Sequence, residues 1–202
     1  MIKAICFDLD GIYFTKQGKE KFNQEIMNLG VSKEDVEYVL YKSPEMIDFK
    51  KGEISEDEFW SFARKYWQVN KTNDEFIKLL VKGYEINSEV DEIVKKVRKN
   101  GYKACVCSNN YKSRVEGLQK KFNFLQNFDV VIFSYQIGIM KPEKGIFKEL
   151  LKRAGIKPKE MIYSDDNKDK LQGALSLGVN TFVYRNFEQF KNELLKLGVN
   201  LT

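Results

Sequence analysis

Two patterns of apolar and polar residues alternate along most of this chain. Short apolar runs, which predict buried strands, are followed by longer segments in which apolar residues recur every three or four positions, which predicts amphipathic helices. The apolar runs are IKAICF, YKACVCS, DVVIFS, EMIYS and NTFVYR. The segment KPEKGIFKELLKRAG predicts a helix with Pro142 in its first turn and Gly155 at its end. Apolar strands separated by helices are typical of the α/β class, so we predict a doubly wound parallel sheet with helices on both faces.

One long segment, residues 15–86, departs from this alternation. Its periodicity is helical throughout, and SKED at 32–35 and SEDE at 55–58 have the sequence of capping boxes that begin helices. Because the segment falls between the first two strands, we predict a core formed by residues 1–14 and 87–202. The inserted residues 15–86 would form a small all-helical cap domain.

Two features of the predicted cap bear on ligand contact. The aromatic residues of EFWSFARKYW fall on two helical faces, which favours packing inside the cap over stacking against a substrate. Lys50 and Lys51 precede Gly52 in a predicted turn between helices. They are either ordinary surface lysines or face the crevice, where they would select anionic or polar groups.

The composition excludes several classes of chemistry. The chain has no histidine, which removes His-based zinc sites, Ser-His-Asp triads and Cys-His dyads. Its net charge is +5, but the lysines are interspersed with acidic residues on predicted helices, so we expect no nucleic-acid partner. No run approaches the roughly 18 apolar residues of a membrane span, and the first residues do not open a signal peptide. We therefore expect a cytoplasmic protein without a membrane partner.

Polar residues stand at or just after the ends of four predicted strands. They are Asp8 and Asp10, Ser108 and Asn109, Lys141, and the pair Asp165 and Asp166. Because the carboxyl ends of parallel strands meet at one edge of a sheet, we expect these side chains to converge there. Four carboxylates against one lysine leave an excess of negative charge. A hard divalent cation with oxygen ligands would balance it, and Mg²⁺ fits best.

The segments that carry these residues resemble a known family. DLDGIYF, CSNN, MKPE and YSDDNKDKLQGA are similar, in this order, to the four motifs of the haloacid dehalogenase-like (HAD) hydrolase superfamily. The resemblance covers the whole predicted core and is closest to the helical-capped α-D-glucose-1-phosphatase-like phosphatases, with similarity also to the phosphatase domain of soluble epoxide hydrolases. It implies a Rossmann-like core and a Mg²⁺-dependent phosphatase that acts on a small phosphorylated metabolite, with a sugar phosphate expected.

The resemblance also implies roles for the residues that carry the reaction. Asp8 would be the nucleophile that forms an aspartyl-phosphate, and Asp10 would be the general acid and base. The Asp8 carboxylate, the Asp10 backbone carbonyl and Asp166 would bind Mg²⁺. Asp165 would support the metal site from beside these ligands or through a water molecule.

The resemblance implies three phosphate contacts as well. The Ser108 hydroxyl and the Asn109 backbone N–H would hold phosphoryl oxygens, and Lys141 would offset charge between nucleophile and phosphate. One position departs from the family pattern: Lys170 stands where this branch usually has Asn or Asp, with Asp169 just before it. The departure concerns the surroundings of the metal: either Lys170 has lost a supporting role there or Asp169 supplies it.

Other functions remain open on the sequence alone. A phosphomutase of the same fold is disfavoured because those enzymes rely on a cap histidine, which this chain lacks. A phospho-receiver is disfavoured because the paired acids follow the first strand and a long insert comes after them. A non-catalytic binding module is disfavoured because every primary catalytic residue is present. The sequence is compatible with a monomer or a homodimer.

Overall fold

The sheet has five strands, all parallel, in the order β3-β2-β1-β4-β5. These come from a computed structural model that describes all 202 residues. The strands are β1 Ala4–Phe7, β2 Lys103–Ser108, β3 Val130–Phe133, β4 Met161–Asp165 and β5 Asn180–Val183. Each coincides with one of the five apolar runs, so the α/β prediction of a doubly wound parallel sheet is confirmed.

Eleven α-helices precede, connect or follow the strands along the chain. They are α1 Gln17–Met27, α2 Lys33–Glu37, α3 Pro44–Lys51, α4 Glu56–Trp67, α5 Asn73–Lys82, α6 Ser88–Lys99, α7 Lys112–Phe122, α8 Ser134–Ile137, α9 Lys144–Ala154, α10 Gln172–Ser176 and α11 Phe187–Lys196. None of them is both long enough and apolar enough to cross a membrane. The expectation for Pro142 was wrong, since α9 begins two residues after it.

The central strand β1 determines where the predicted site residues Asp8 and Asp10 lie. All four of its residues are fully buried, and their side chains alternate between the two faces of the sheet. Ile5 and Phe7 join a core cluster of 39 buried residues, whereas Ala4 and Cys6 join a cluster of 15 on the other face. Because β1 pairs with both β2 and β4, the residues that follow it emerge at the middle of the sheet edge.

The helical insert, residues 15–86, supplies α1 to α5. Its internal packing is aromatic: the Trp60 ring stacks on the Phe76 ring with centroids 4.8 Å apart. Trp60 belongs to the larger core cluster, so the insert shares its apolar core with one face of the sheet. The division into core and cap at residues 14/15 and 86/87 stays a prediction.

The two predicted capping boxes of the insert differ, since only one of them is complete. Ser55 and Glu58 form the complete reciprocal capping box at the start of α4. Ser32 caps α2 by accepting from the Asp35 N–H, but the return contact of Asp35 is to the Ser32 hydroxyl rather than to its backbone. The SKED motif is therefore only half of a capping box.

Candidate active site

Three carboxylates gather at the carboxyl ends of β1 and β4. Asp8, Asp165 and Asp166 each offer an oxygen, and these oxygens lie within 4.8 Å of one another. Asp8 and Asp165 are buried, while Asp166 is partly exposed. Like charges this close, and this far from water, repel each other unless a cation lies among them. The donor set of three carboxylates suits a hard divalent cation.

Lys141 is the buried cation that partly compensates this cluster. Its side chain is fully buried, and its Nζ lies 2.9 Å from Asp8 Oδ1 and 2.7 Å from Asp165 Oδ2. It also donates a hydrogen bond to the Cys107 carbonyl at 2.9 Å. Burial alone would lower the pKa of Lys141, but the two carboxylates outweigh burial and raise it above its usual value. One protonated lysine still leaves the three carboxylates in excess.

Asn109 fixes the position of Lys141 through its side chain. Its Oδ1 accepts from the Lys141 N–H at 2.7 Å, and its Nδ2 donates to the Lys141 carbonyl at 2.9 Å. This clamp ties the segment after β3 to the end of β2. The sequence suggested a role only for the Asn109 backbone, so the clamp was not foreseen. Ser108, the last residue of β2, is buried at the same edge of the sheet.

The two buried carboxylates of the cluster have different environments. Burial raises the pKa of Asp8, whose Oδ1 also accepts from the Leu9 N–H at 2.8 Å. Burial acts in the same direction on Asp165, but Lys141 and Lys170 outweigh it and lower the pKa of Asp165 to about 2. The Tyr163 hydroxyl donates to Asp165 Oδ2 at 2.5 Å and adds to this effect. Asp165 is thus the more firmly ionised of the two.

The side chain of Asp10 points away from this cluster, toward the helical insert. It forms a buried ion pair with Arg114 and a second ion pair with Lys19 at 3.1 Å, and it accepts from the Tyr84 hydroxyl at 3.1 Å. Burial would raise the pKa of Asp10, but Arg114 and Lys19 bring it well below its usual range. Arg114 lies 104 residues away in the chain, and no motif pointed to it.

Two further lysines border the acidic cluster. The Nζ of Lys170 lies 3.9 Å from Asp8 Oδ2 and 4.0 Å from Asp165 Oδ1, so this departure from the family pattern faces the candidate metal site. Lys16 pairs with Asp166 at 3.1 Å. Gly11 makes the close approach of the chain possible, because a Cβ there would lie 2.7 Å from Asp166 Oδ2 and its φ is +80°.

A cavity of about 340 Å³ opens beside these residues. The sheet edge contributes Asp8, Asp10, Ser108 and Asn109, and the insert contributes a further group of lining residues. That group is Lys19, Phe22, Asn23, Leu40, Tyr41, Met46, Lys50 and Leu80. The volume lies within the range of small-molecule sites. All predicted site residues except Asp165, Asp166 and Lys141 line this cavity, and those three lie directly behind Asp8 or next to it.

Three known proteins resemble this chain in sequence or in fold. Mouse bifunctional epoxide hydrolase 2 is 31% identical over 105 residues, which are 50% of this chain and 19% of that protein. A HAD-like family hydrolase from Porphyromonas gingivalis is 26% identical, with a TM-score of 0.77 over 97% of this chain and 98% of that one. A HAD-family enzyme from Bacteroides thetaiotaomicron, solved with magnesium and inorganic phosphate, is 22% identical, with a TM-score of 0.79 over 92% and 95%.

A family model also matches most of the chain. The model, described as haloacid dehalogenase-like hydrolase, matches residues 5–184, which reach from β1 to β5 and include the helical insert. The chain spans only about a fifth of the length of the epoxide hydrolase it resembles, so the match concerns one part of that protein. This chain is a member of the haloacid dehalogenase-like hydrolase family.

Proposed function

We propose that the protein is a Mg²⁺-dependent phosphatase that hydrolyses a small phosphomonoester, with a sugar phosphate as the expected substrate, through an aspartyl-phosphate. The observation that carries the proposal is the buried Lys141 held between Asp8 and Asp165 at the cavity, with Asp166 beside them. Membership of the hydrolase family supports the reaction class. The magnesium and phosphate in the Bacteroides enzyme support the choice of ligands.

The residues present fit the proposed metal ion. Asp8 and Asp166, with Asp165 adjacent, offer clustered carboxylate oxygens, and the Asp10 backbone carbonyl would complete the protein's share of ligands. Bound there, Mg²⁺ would neutralise part of the charge on the phosphoryl oxygens. The protein's own cation, Lys141, would offset the charge between Asp8 and the phosphoryl group.

In the proposed first step, a carboxylate oxygen of Asp8 attacks phosphorus as the bond to the leaving alkoxide breaks. Asp10 gives a proton to the oxygen of the leaving group, which departs as an alcohol. In the second step Asp10 takes a proton from water, the water oxygen attacks phosphorus, and the bond to Asp8 breaks to release inorganic phosphate. The Ser108 hydroxyl and the Asn109 N–H would hold the phosphoryl oxygens during both steps.

Asp10 requires a change before it can act as the acid. Its ion pairs with Arg114 and Lys19 favour the ionised form, and both partners must loosen for the carboxyl to carry a proton. Lys19 lies on α1 of the helical insert. We therefore propose that substrate binding loosens the contacts of Asp10 with both Arg114 and Lys19 as the insert closes over the cavity.

The test is phosphate release from a panel of phosphomonoesters, with Mg²⁺ and with EDTA. The panel contains both anomers of glucose 1-phosphate, glucose 6-phosphate, nucleotides and p-nitrophenyl phosphate. We expect release that depends on the metal, and the ranking would report what the insert selects. Absence of release from every compound by folded, Mg²⁺-supplied protein would contradict the proposal and favour a phosphomutase or a binding role.

Lys170 leads to a separate expectation about the metal. Its ammonium faces two of the carboxylates that would bind Mg²⁺, so it opposes binding of the ion. We expect Lys170→Asn to lower the Mg²⁺ concentration for half-maximal thermal stabilisation by roughly tenfold, a typical effect between partly exposed charges. Lys168→Asn, an exposed position in the same turn, is the matched control. Equal Mg²⁺ dependence of both variants would show that Lys170 does not act on the metal.

A further inference from the structure

Lys50 is a cation in the cavity without an anionic partner. It lines the cavity from the end of α3, it is partly buried, and its Nζ forms no ion pair and donates no hydrogen bond. The other three cations of the cavity lie near carboxylates: Arg114 and Lys19 near Asp10, and Lys170 near Asp8. Lys50 is therefore the one lining cation whose charge the protein leaves unmatched.

A hydrogen bond to the Lys50 backbone fixes the position of this residue. The Ser134 hydroxyl donates to the Lys50 carbonyl at 2.6 Å and accepts from the Asn110 N–H at 2.9 Å. This hydroxyl therefore ties the end of α3 to the loop after β2, which begins with the predicted phosphate ligands. The close approach also requires Gly52, because a Cβ there would lie 2.5 Å from the Tyr135 carbonyl oxygen. The insert is thereby docked on the core so that Lys50 faces the cavity.

The charges around Lys50 are also unfavourable for it in the absence of a ligand. Burial, with Lys19, Arg114 and Lys170 nearby, lowers the pKa of Lys50 to about 7, and Asp10 offsets only part of this. Four lining cations face two lining carboxylates, Asp8 and Asp10. A bound anion would relieve the repulsion among these cations and would gain charge-assisted hydrogen bonds.

The scissile phosphoryl group does not account for this excess. In the proposed function it lies against Asp8 at the sheet edge, where Lys141, Lys170 and Mg²⁺ are the neighbouring cations. Lys50 and Lys19 come from the insert, on the side of the cavity where the leaving group would lie, and Asp10 is the one lining carboxylate besides Asp8. The leaving-group side of the cavity therefore holds more positive charge than the protein itself balances.

From this arrangement we infer that the substrate carries a second anionic group, a carboxylate or a second phosphate, on its leaving group, and that Lys50 binds it with Lys19 beside it. The inference rests on the proposed phosphatase function. It narrows the substrate class from the phosphates of neutral sugars to phosphomonoesters of hydroxy acids or to bisphosphates.

The test compares pairs of ligands that differ only in the second anion. One pair is 3-phosphoglycerate and glycerol 3-phosphate, in which a carboxylate replaces a hydroxymethyl group. The other is fructose 1,6-bisphosphate and fructose 6-phosphate, so the two pairs distinguish a carboxylate from a phosphate. Binding is measured by calorimetry on the Mg²⁺-supplied Asp8→Asn protein, which is not expected to turn the ligands over.

In at least one pair we expect the ligand with the second anion to bind about 10- to 100-fold more tightly, the range for a hydrogen bond to a charged group. Adding Lys50→Met should bring that ratio close to one. Lys51→Met, at the neighbouring residue that does not line the cavity, should leave the ratio unchanged. The ratio is the informative quantity, because a general disturbance of the cavity would weaken both members of a pair alike.

Three outcomes would overturn the inference. They are equal binding within both pairs, a ratio that Lys50→Met does not change, and no binding of any of the four ligands. An unchanged ratio with weaker binding of both members would assign Lys50 to the scissile phosphate instead. Because binding is measured without turnover, a protein that discriminates these pairs but releases no phosphate would contradict the phosphatase proposal alone. Phosphate release without discrimination would contradict only the second-anion site.

Discussion

Replacing Asp8 with asparagine is expected to lower phosphate release by at least about 10⁴-fold, as removal of a nucleophile does in enzymes that form covalent intermediates. The amide has nearly the shape of the carboxylate but cannot attack phosphorus. The fold should be retained, because the change removes one of three clustered negative charges and leaves Lys141 paired with Asp165. The measurement is the rate of phosphate release, with thermal unfolding as the check on the fold.

The matched control for this change is Asp169→Asn. Asp169 lies near the same sheet edge but is exposed and is not a member of the acidic cluster. It should retain full activity. A second readout is chemical: acid-quenched wild-type protein should carry a hydroxylamine-sensitive acyl phosphate that Asp8→Asn lacks. Substantial turnover by Asp8→Asn would rule out Asp8 as the nucleophile.

The parts of the site that lie at strand ends could be predicted from the sequence. A buried parallel strand has a distinctive apolar run, and its carboxyl end must lie at the same edge as those of its neighbours. That rule alone placed Asp8, Ser108 and Asp165 near one another, and the structure brings them to one edge. The roles of these residues in a reaction remain predictions that the experiments above test.

The contacts between the insert and the core could not be predicted in the same way. Tyr84 reaches Asp10 across 74 residues of chain, and Ser134 reaches Lys50 across 84. Such pairs depend on how two packed bodies dock, which local periodicity does not encode. The start of α9 was misplaced because of another contact between residues far apart in the chain. Its first turn begins after the Lys141 backbone has been fixed by Asn109, so Pro142 belongs to the connection rather than to the helix.

Replacing Lys141 with methionine should have a large effect on stability as well as on activity. Methionine has a similar volume but no charge, so Asp8 and Asp165 would be left buried without their shared partner. Removing one member of a buried ion pair typically costs about 3–5 kcal/mol of unfolding free energy, which is a large part of the usual stability of a domain of this size. Lys152→Met, an exposed lysine on α9, should change it by less than about 0.5 kcal/mol.

The same stability comparison can be made with and without the metal. In EDTA the two carboxylates of Lys141→Met have no nearby buried cation, whereas in Mg²⁺ the ion would take over part of the compensation. We therefore expect the stability difference between wild type and Lys141→Met, measured by urea unfolding, to be larger in EDTA than in saturating Mg²⁺. A difference that is the same in both conditions would mean that Lys141 and the metal do not share these carboxylates. In that case Lys141 would serve the fold alone, and the proposed neutralisation of phosphate charge would have to come from another residue.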